Sequence, residues 1–279
     1  MNHKEQQGFL TIAVNTPDVD YLELAYLQAL NVKATQKTKS FAVIVDTDTK
    51  QQIQKYHSEV FDYIIETTPS TTGPYGLETQ VFSLSPFKET VKLESDLLFT
   101  RSIDHWWTSF RLRDVVLSHG CKNYMQQPSA SRRYRKLFDD NHLPDVYNGL
   151  MYFRYSKLAA DFFAKASQIF YNWELVKNTL LNCRDEYPTT DVVYALAAEI
   201  IGRELCMIPS LDFINFVHMK PSINGYPESA KFQSMYVTEF DQGMIRINSI
   251  NQYHPLHYHE KDFPTEEMYD YFRSVARIY

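Results

Sequence analysis

Glu94 and Asp96 stand one residue apart in TVKLESDLLF, residues 90–99, an apolar run that these two acids interrupt. Burying a carboxylate is costly unless it is paired or bound to a cation. Alternation along a strand puts residues i and i+2 on one face. Both carboxylates can therefore reach one hard cation, and Mg²⁺ or Mn²⁺ with oxygen ligands fits that donor set. The plainer alternative is a solvated strand end carrying two unrelated acids, since so short a pattern recurs by chance.

Other residues could supply partners. His254, His257 and His259 fall within six positions in HPLHYHEK, and Lys261 closes that stretch. Three histidines so close resemble a zinc site, but no cysteine lies nearby, and a surface cluster is the alternative. If His257 and His259 share a strand face, one ligates while the other supports it. His218 and Lys220 in FVHMKPS form a competing His/Lys pair. Lys88 precedes the acidic strand and is a candidate phosphate contact, with a solvated surface lysine as the alternative. SRRYRK, residues 131–136, places Arg132, Arg133, Arg135 and Lys136 around a tyrosine. Such a patch either contacts the phosphates of a polyanionic acceptor or is a solvated face.

These residues need a scaffold. FLTIAV (9–14), FAVIVD (41–46) and FDYIIE (61–66) are short β-branched runs. The first two are followed by helical patterns: Leu22, Tyr26 and Leu30 mark a helix over 18–33 with Asp18 as its N-cap, and TKQQIQKYHSEV follows the second strand. Strand–helix–strand alternation predicts a parallel sheet with right-handed crossovers. A fourth strand ends at the acidic pair. DVVLSHG (114–120) and NGLMYFRY (148–155) supply two more, and long helices follow from SKLAADFF and from PTTDVVYALA, the latter capped by Thr189 or Thr190. Short strands (SMYVTEF, GMIRIN) and a terminal helix over 264–276 complete the chain. In open parallel sheets ligands bind beyond the carboxyl ends of the strands, where Glu94 and Asp96 stand.

Bulk composition narrows the function classes. The chain has 279 residues, 44% hydrophobic and 22% charged, as in an ordinary soluble protein. Its net charge of −6 excludes a general polyanion binder. Three scattered cysteines and no CxxC argue for a reducing compartment. The polar start of the sequence does not look like a signal peptide, and no stretch approaches the roughly eighteen apolar residues of a membrane span. The expectation is a cytoplasmic protein without membrane insertion, forming one domain over 1–279. Residues 1–120 would be the nucleotide-binding half and 121–279 the half that completes a cleft.

SPFKETVKLESDLLFTRSIDHWW resembles the segment around the DxD motif of GT-A glycosyltransferases, most of all the glycogenin and galactosyltransferase-type enzymes of glycosyltransferase family eight. LESD stands where that family has LDAD, with Glu for the first Asp, and SIDHWW stands for its IDxLW. TIAVNTPDVDYLELAYLQALNV is similar to the family's first strand and helix. NGLMYFRYSKLAADFF resembles its NSGVMVF strand and the helix after it, PTTDVVYALA its DQ helix start, and PLHYHEKDF its IIHYxGxxKPW segment, with shorter spacing and no Trp. HWW and HYHEK are also similar to segments of phage-encoded glycosyltransferases.

The resemblance implies an α/β fold: a GT-A-like, Rossmann-type, mostly parallel sheet flanked by helices, with a less regular C-terminal half. It implies transfer of a hexose or pentose from a nucleotide-diphosphate sugar, a UDP-sugar foremost, with retention and with Mn²⁺ or Mg²⁺. Val14, Asn15 and Thr16 would line the base or ribose pocket. Glu94, Asp96 and His257 would hold the metal, and an imidazole ligand favours Mn²⁺. Lys261 would contact the diphosphate. Asn148 and Asp191 would sit beside the transferred sugar, although helix capping equally accounts for Asp191. For a phage protein, in the host cytoplasm, a modified base in DNA would be a natural acceptor through Arg132, Arg133 and Arg135; a glycan is the other. Two further classes stay open. A nucleotidyltransferase shares the sheet and a carboxylate pair, but NTPDVDY lacks the glycines of a phosphate loop. A non-catalytic or virion-associated relative of the fold is the third class.

Overall fold

The computed structural model describes residues 5–67, 73–129, 135–208 and 214–278. The chain runs β1 (Glu5–Ile12), α1 (Tyr21–Thr35), β2 (Phe41–Asp46), α2 (Thr47–Gln51), α3 (Lys55–Val60), β3 (Tyr63–Thr67), α4 (Gly73–Glu78), α5 (Val81–Leu84) and β4 (Phe87–Leu93). It continues with β5 (Leu97–Leu98), α6 (Trp106–Phe110), β6 (Val115–His119), α7 (Lys136–Asp140), β7 (Val146–Arg154), α8 (Lys157–Tyr171), α9 (Trp173–Val176) and α10 (Thr190–Ile201). Shorter elements follow: α11 (Arg203–Cys206), β8 (Val217–His218), α12 (Phe232–Met235), β9 (Thr238–Asp241), β10 (Met244–Ile247), β11 (Ile250–Asn251), β12 (Leu256–His257) and finally α13 (Glu266–Ala276).

Six strands form the main sheet in the order β3-β2-β1-β4-β7-β6. β7 is antiparallel to both its neighbours, and the remaining pairings are parallel. This is the expected mixed α/β architecture with a mostly parallel sheet flanked by helices. Successive residues alternate between two cores. Phe9, Val43, Val91 and Tyr152 face one side, with α1 and α13; Leu10, Ile44, Met151 and Phe153 face the other, with α8 and α10. Strands buried on both faces are continuous apolar runs, which is why FAVIVD and FLTI are legible in the sequence.

The chain leaves β1 toward β2 and β3, then returns to place β4 on the other side of β1. Strand order therefore reverses between β1 and β4, and a crevice opens beyond their carboxyl ends. Two local expectations are corrected. Helix α1 starts at Tyr21, and its cap is Asp20, whose side chain accepts the Glu23 N–H, instead of Asp18. Strand β4 ends at Leu93, so Glu94 and Asp96 lie in the turn before β5 and not on one strand face. What brings both toward one point is that turn, closed by the Leu97 N–H donating to the Glu94 carbonyl at 3.2 Å.

Candidate functional site

The acidic turn is held from two sides. The Glu94 N–H donates to the Gly149 carbonyl of β7 at 3.1 Å, and Gln28 of α1 donates its amide to the carbonyls of Glu94 and Leu97 at 2.6 and 2.7 Å. A small three-stranded sheet, β5-β12-β8, then carries the histidines to it. In that sheet His257 lies opposite Leu97 on one side and His218 on the other. The Tyr258 N–H donates to the Asp96 carbonyl at 3.1 Å. A sequence separation of 161 residues is thereby closed to one contact, with His257 Nε2 2.9 Å from Asp96 Oδ2. The same nitrogen is 3.2 Å from Glu94 Oε2. Lys261 donates to Asp96 as well. Asp96 is 3% exposed, so this carboxylate depends wholly on its partners.

The charges follow from that arrangement. Burial alone would raise the Asp96 carboxyl, but His257 and Lys261 outweigh it and hold Asp96 well below the usual carboxylate range. Glu94 moves the other way, pushed up by burial and by Asp96 against the pull of His257. Burial opposes the charged form of His257, yet Asp96 and Glu94 raise its basicity above the ordinary imidazole value. His259 is brought down to about 4 by burial and by the His257 charge. His218, stacked on His257 with ring centroids 4.3 Å apart, is lowered well below the ordinary imidazole value by burial and by both neighbouring histidines.

Asp96, His257 and His259 can bring one ligand atom each to within 4.8 Å of one another. His259 reaches this position through a left-handed backbone, φ 65°, just after β12 ends, and not by strand alternation with His257. Two imidazoles with carboxylate oxygen form a donor set suited to Mn²⁺ and its neighbours in the first transition row. The Nε2 atom of His257 faces both Asp96 and Glu94, and its Nδ1 is buried with no hydrogen-bond partner among the described residues. The residues present fit a divalent cation.

The cleft around this cluster has a volume of about 430 Å³. Val14 and Thr16, after β1, line it with Tyr21 and Tyr75; so do Asn148, Thr189, Thr190 and Asp191, and Lys220 and Lys261. The structure brings Val14, Thr16, Glu94, Asp96, Asn148, Asp191, His257 and Lys261 to this one cleft. Asn15 is not a lining residue. Its side chain accepts the Leu22 N–H at 2.9 Å and donates to Asp20 and Gln52, so it ties the β1–α1 loop to the helix.

Lys88 lies elsewhere. It is exposed near the start of β4, and the acidic turn follows that strand's far end. Six residues of extended chain separate it from Glu94 by about 20 Å.

Arg135 is the clearest departure from the sequence reading. It was expected to face an acceptor, but it is 1% exposed. Its Nε donates to Asp145 at 2.8 Å and its Nη1 to Asp191 at 2.7 Å, and Nη2 donates to the Val146 carbonyl. The guanidinium carbon lies 3.5 Å from the ring centre of Phe138 and 4.1 Å from that of Tyr147. A planar cation between two rings and two carboxylates has no face left for an external phosphate. Arg132 and Arg133 lie outside the described residues.

Sequence reasoning missed Tyr21, Tyr75 and Glu78 as lining residues, whereas His218 and Lys220, the competing His/Lys pair, both line the cleft. A signal existed for one of them: Lys92 interrupts a buried strand and must have an acidic partner, which proves to be Glu78 at 2.7 Å.

No family model matches the sequence, and no curated protein is similar to it. Among solved structures, the fold is similar to the glycosyltransferase GlyE of Streptococcus pneumoniae TIGR4, with TM-score 0.53 and 10% identity over 99% of this chain and 63% of that one. It is also similar to the bifunctional glycosyltransferase WbbM, with TM-score 0.51 and 11% identity over 100% of this chain and 50% of that one. The chain thus spans 63% and 50% of the lengths of these two proteins. At such identity the likeness to these two glycosyltransferases is one of fold alone, a mostly parallel α/β sheet flanked by helices.

Proposed function

We propose that the protein is a metal-dependent glycosyltransferase that takes its sugar from a nucleotide-diphosphate donor. The observation that carries this reading is the convergence of Asp96, Glu94, His257, His259 and Lys261 at the switch point of the sheet, in one cleft with Asp191. Asp96, His257 and His259, with Glu94 beside them, would hold the cation. A divalent ion there supplies positive charge to the diphosphate oxygens as the glycosidic bond breaks.

The chain's own residues do the rest. Lys261 and Lys220 add fixed positive charge where the diphosphate leaves. Tyr21 and Tyr75, with Val14 and Thr16, offer a partly apolar wall to the nucleoside, and a UDP-sugar fits the expectation from the sequence. The Asp191 carboxylate, pinned by Arg135 and the Asn148 N–H, stands ready to stabilise positive charge at the anomeric carbon, as glycosyl transfers require. Retention of configuration is part of this proposal. The first 120 residues would supply the nucleoside wall and the Glu94–Asp96 turn, and residues 121–279 would complete the cleft with His257, His259, Lys220, Lys261 and Asp191.

The test is release of free sugar or nucleoside diphosphate from a panel of nucleotide-sugars, without acceptor, in Mn²⁺, Mg²⁺ or EDTA. Cation-dependent hydrolysis of one donor, lost in Asp96→Ala, is the expected result. Folded protein that neither hydrolyses nor binds any nucleotide-sugar would refute the proposal.

A further inference from the structure

Two buried acceptor atoms on residues that line the cleft have no hydrogen-bond partner among the described residues: Glu78 Oε2 and Asn148 Oδ1. Glu78 is the more informative. It ends α4, and two contacts fix it. Its carbonyl accepts the Tyr194 hydroxyl of α10 at 2.8 Å, and its Oε1 accepts the Lys92 ammonium of β4 at 2.7 Å. Its side chain is only 12% exposed, and that of Lys92 only 1%. A pair of apolar side chains of similar volume would hold the fold as well as this buried ion pair. Stability therefore does not account for a carboxylate held rigidly at the cleft with one oxygen unused.

We propose that Glu78 is a specificity-determining residue for the transferred sugar, accepting a hydrogen bond from one of its hydroxyls and excluding sugars that carry a carboxylate. This inference rests on the glycosyltransferase reading. A carboxylate only accepts hydrogen bonds, so its ligand must donate. Asn148 Oδ1 and the Asp191 carboxylate, which line the same cleft, make the same demand. Glu78 lines the same cleft as Glu94 and Asp96, where a sugar on the diphosphate would lie. A wall of acceptors selects a neutral, hydroxyl-rich sugar. A uronic acid would bring a third charge against Glu78 and Asp191.

Calorimetric titration in Mn²⁺ tests this with UDP, UDP-glucose, UDP-galactose, UDP-glucuronic acid, GDP, GDP-mannose and GDP-mannuronic acid. Wild-type protein is expected to bind a neutral conjugate more tightly than the bare nucleotide, and the matching uronic acid at least about tenfold more weakly than the neutral sugar. Glu78→Gln keeps a hydrogen bond for Lys92 and should close that gap about tenfold while leaving the bare nucleotide unchanged. The double variant Glu78→Gln, Lys92→Met removes both charges at similar volume and should give the same result if the single variant folds poorly. An unchanged gap in these variants, or a wild type that prefers the uronic acid, overturns the role of Glu78 alone. A wild type that binds no nucleoside diphosphate in Mn²⁺ overturns the glycosyltransferase reading and this role with it.

Discussion

Arg135 Nη1 lies 2.7 Å from Asp191 Oδ2, while the Asn148 N–H lies 2.8 Å from Asp191 Oδ1. Both oxygens of a cleft carboxylate are thus oriented from behind, by a side chain on one element and a backbone on another. Breaking a buried ion pair from one side typically costs about 3–5 kcal/mol. Arg135→Met is expected to lower the unfolding free energy by about 3 kcal/mol in urea titration, because Asp145 and Asp191 then lose the guanidinium they share. Arg135→Lys keeps the charge but loses the fork that spans both acids, and should fall between. Wild-type stability in Arg135→Met would contradict the pairing.

Asp96 is where cation binding should be most sensitive. In wild type, Mn²⁺ with the correct donor is expected to raise Tm through binding to the folded state alone. Asp96→Asn keeps the shape and removes the charge, and the Mn²⁺-dependent shift should vanish. A shift of unchanged size would place the cation elsewhere.

The two lysines of the sequence reading separate cleanly. Lys88→Ala changes an exposed residue at the wrong end of β4, and both stability and donor KM should stay at wild-type values, stability within about 0.5 kcal/mol. Lys261→Ala removes an ammonium that touches Asp96 and should raise the donor KM. Equal effects from the two would place Lys88 in contact with the donor.

Gly149 couples the core to the acidic turn. A Cβ there would stand 2.6 Å from the ring of Phe216, which is wholly buried and has no room to retreat. Gly149→Ala should cost about 1–3 kcal/mol by overpacking. Because the Gly149 carbonyl holds the Glu94 N–H, cation affinity should fall as well. Gly149→Ala, Phe216→Leu should recover part of both in the same denaturation and titration experiments.

Acid should unfold the protein partly through Glu23. Burial raises this carboxyl, but hydrogen bonds from His57 and Tyr56 bring it below its ordinary value. A depressed folded value means that the unfolded chain binds more protons in the acid range, so stability rises with pH there. The Glu23 contribution is complete above the unfolded carboxyl value and disappears as pH falls through the lower folded value. Urea midpoints measured from pH 3 to 7 should therefore fall less steeply toward acid in Glu23→Gln than in wild type. Parallel curves would refute this assignment.

Local sequence determined the strands, because FAVIVD, FLTI and NGLMYF are apolar on both faces and only a sheet covered by helices on both sides buries such runs. It also marked LESD and HYHEK as the places to look, since acids in an apolar run and clustered histidines need an explanation wherever they occur. Tertiary structure alone decided which groups meet. Glu94 and Asp96 point together because of a turn, His259 joins them through a left-handed residue, and Lys92 finds Glu78 only when α4 folds back over β4. In SRRYRK, Arg135 looks like part of a surface patch because its charge is counted without its partners. Arg135 meets Asp145 ten residues on and Asp191 fifty-six residues on, after β7 and α10 have packed. Apolar burial is a property of a segment and is written locally, whereas ion pairing belongs to two segments and is fixed only when strand order and register bring them into contact.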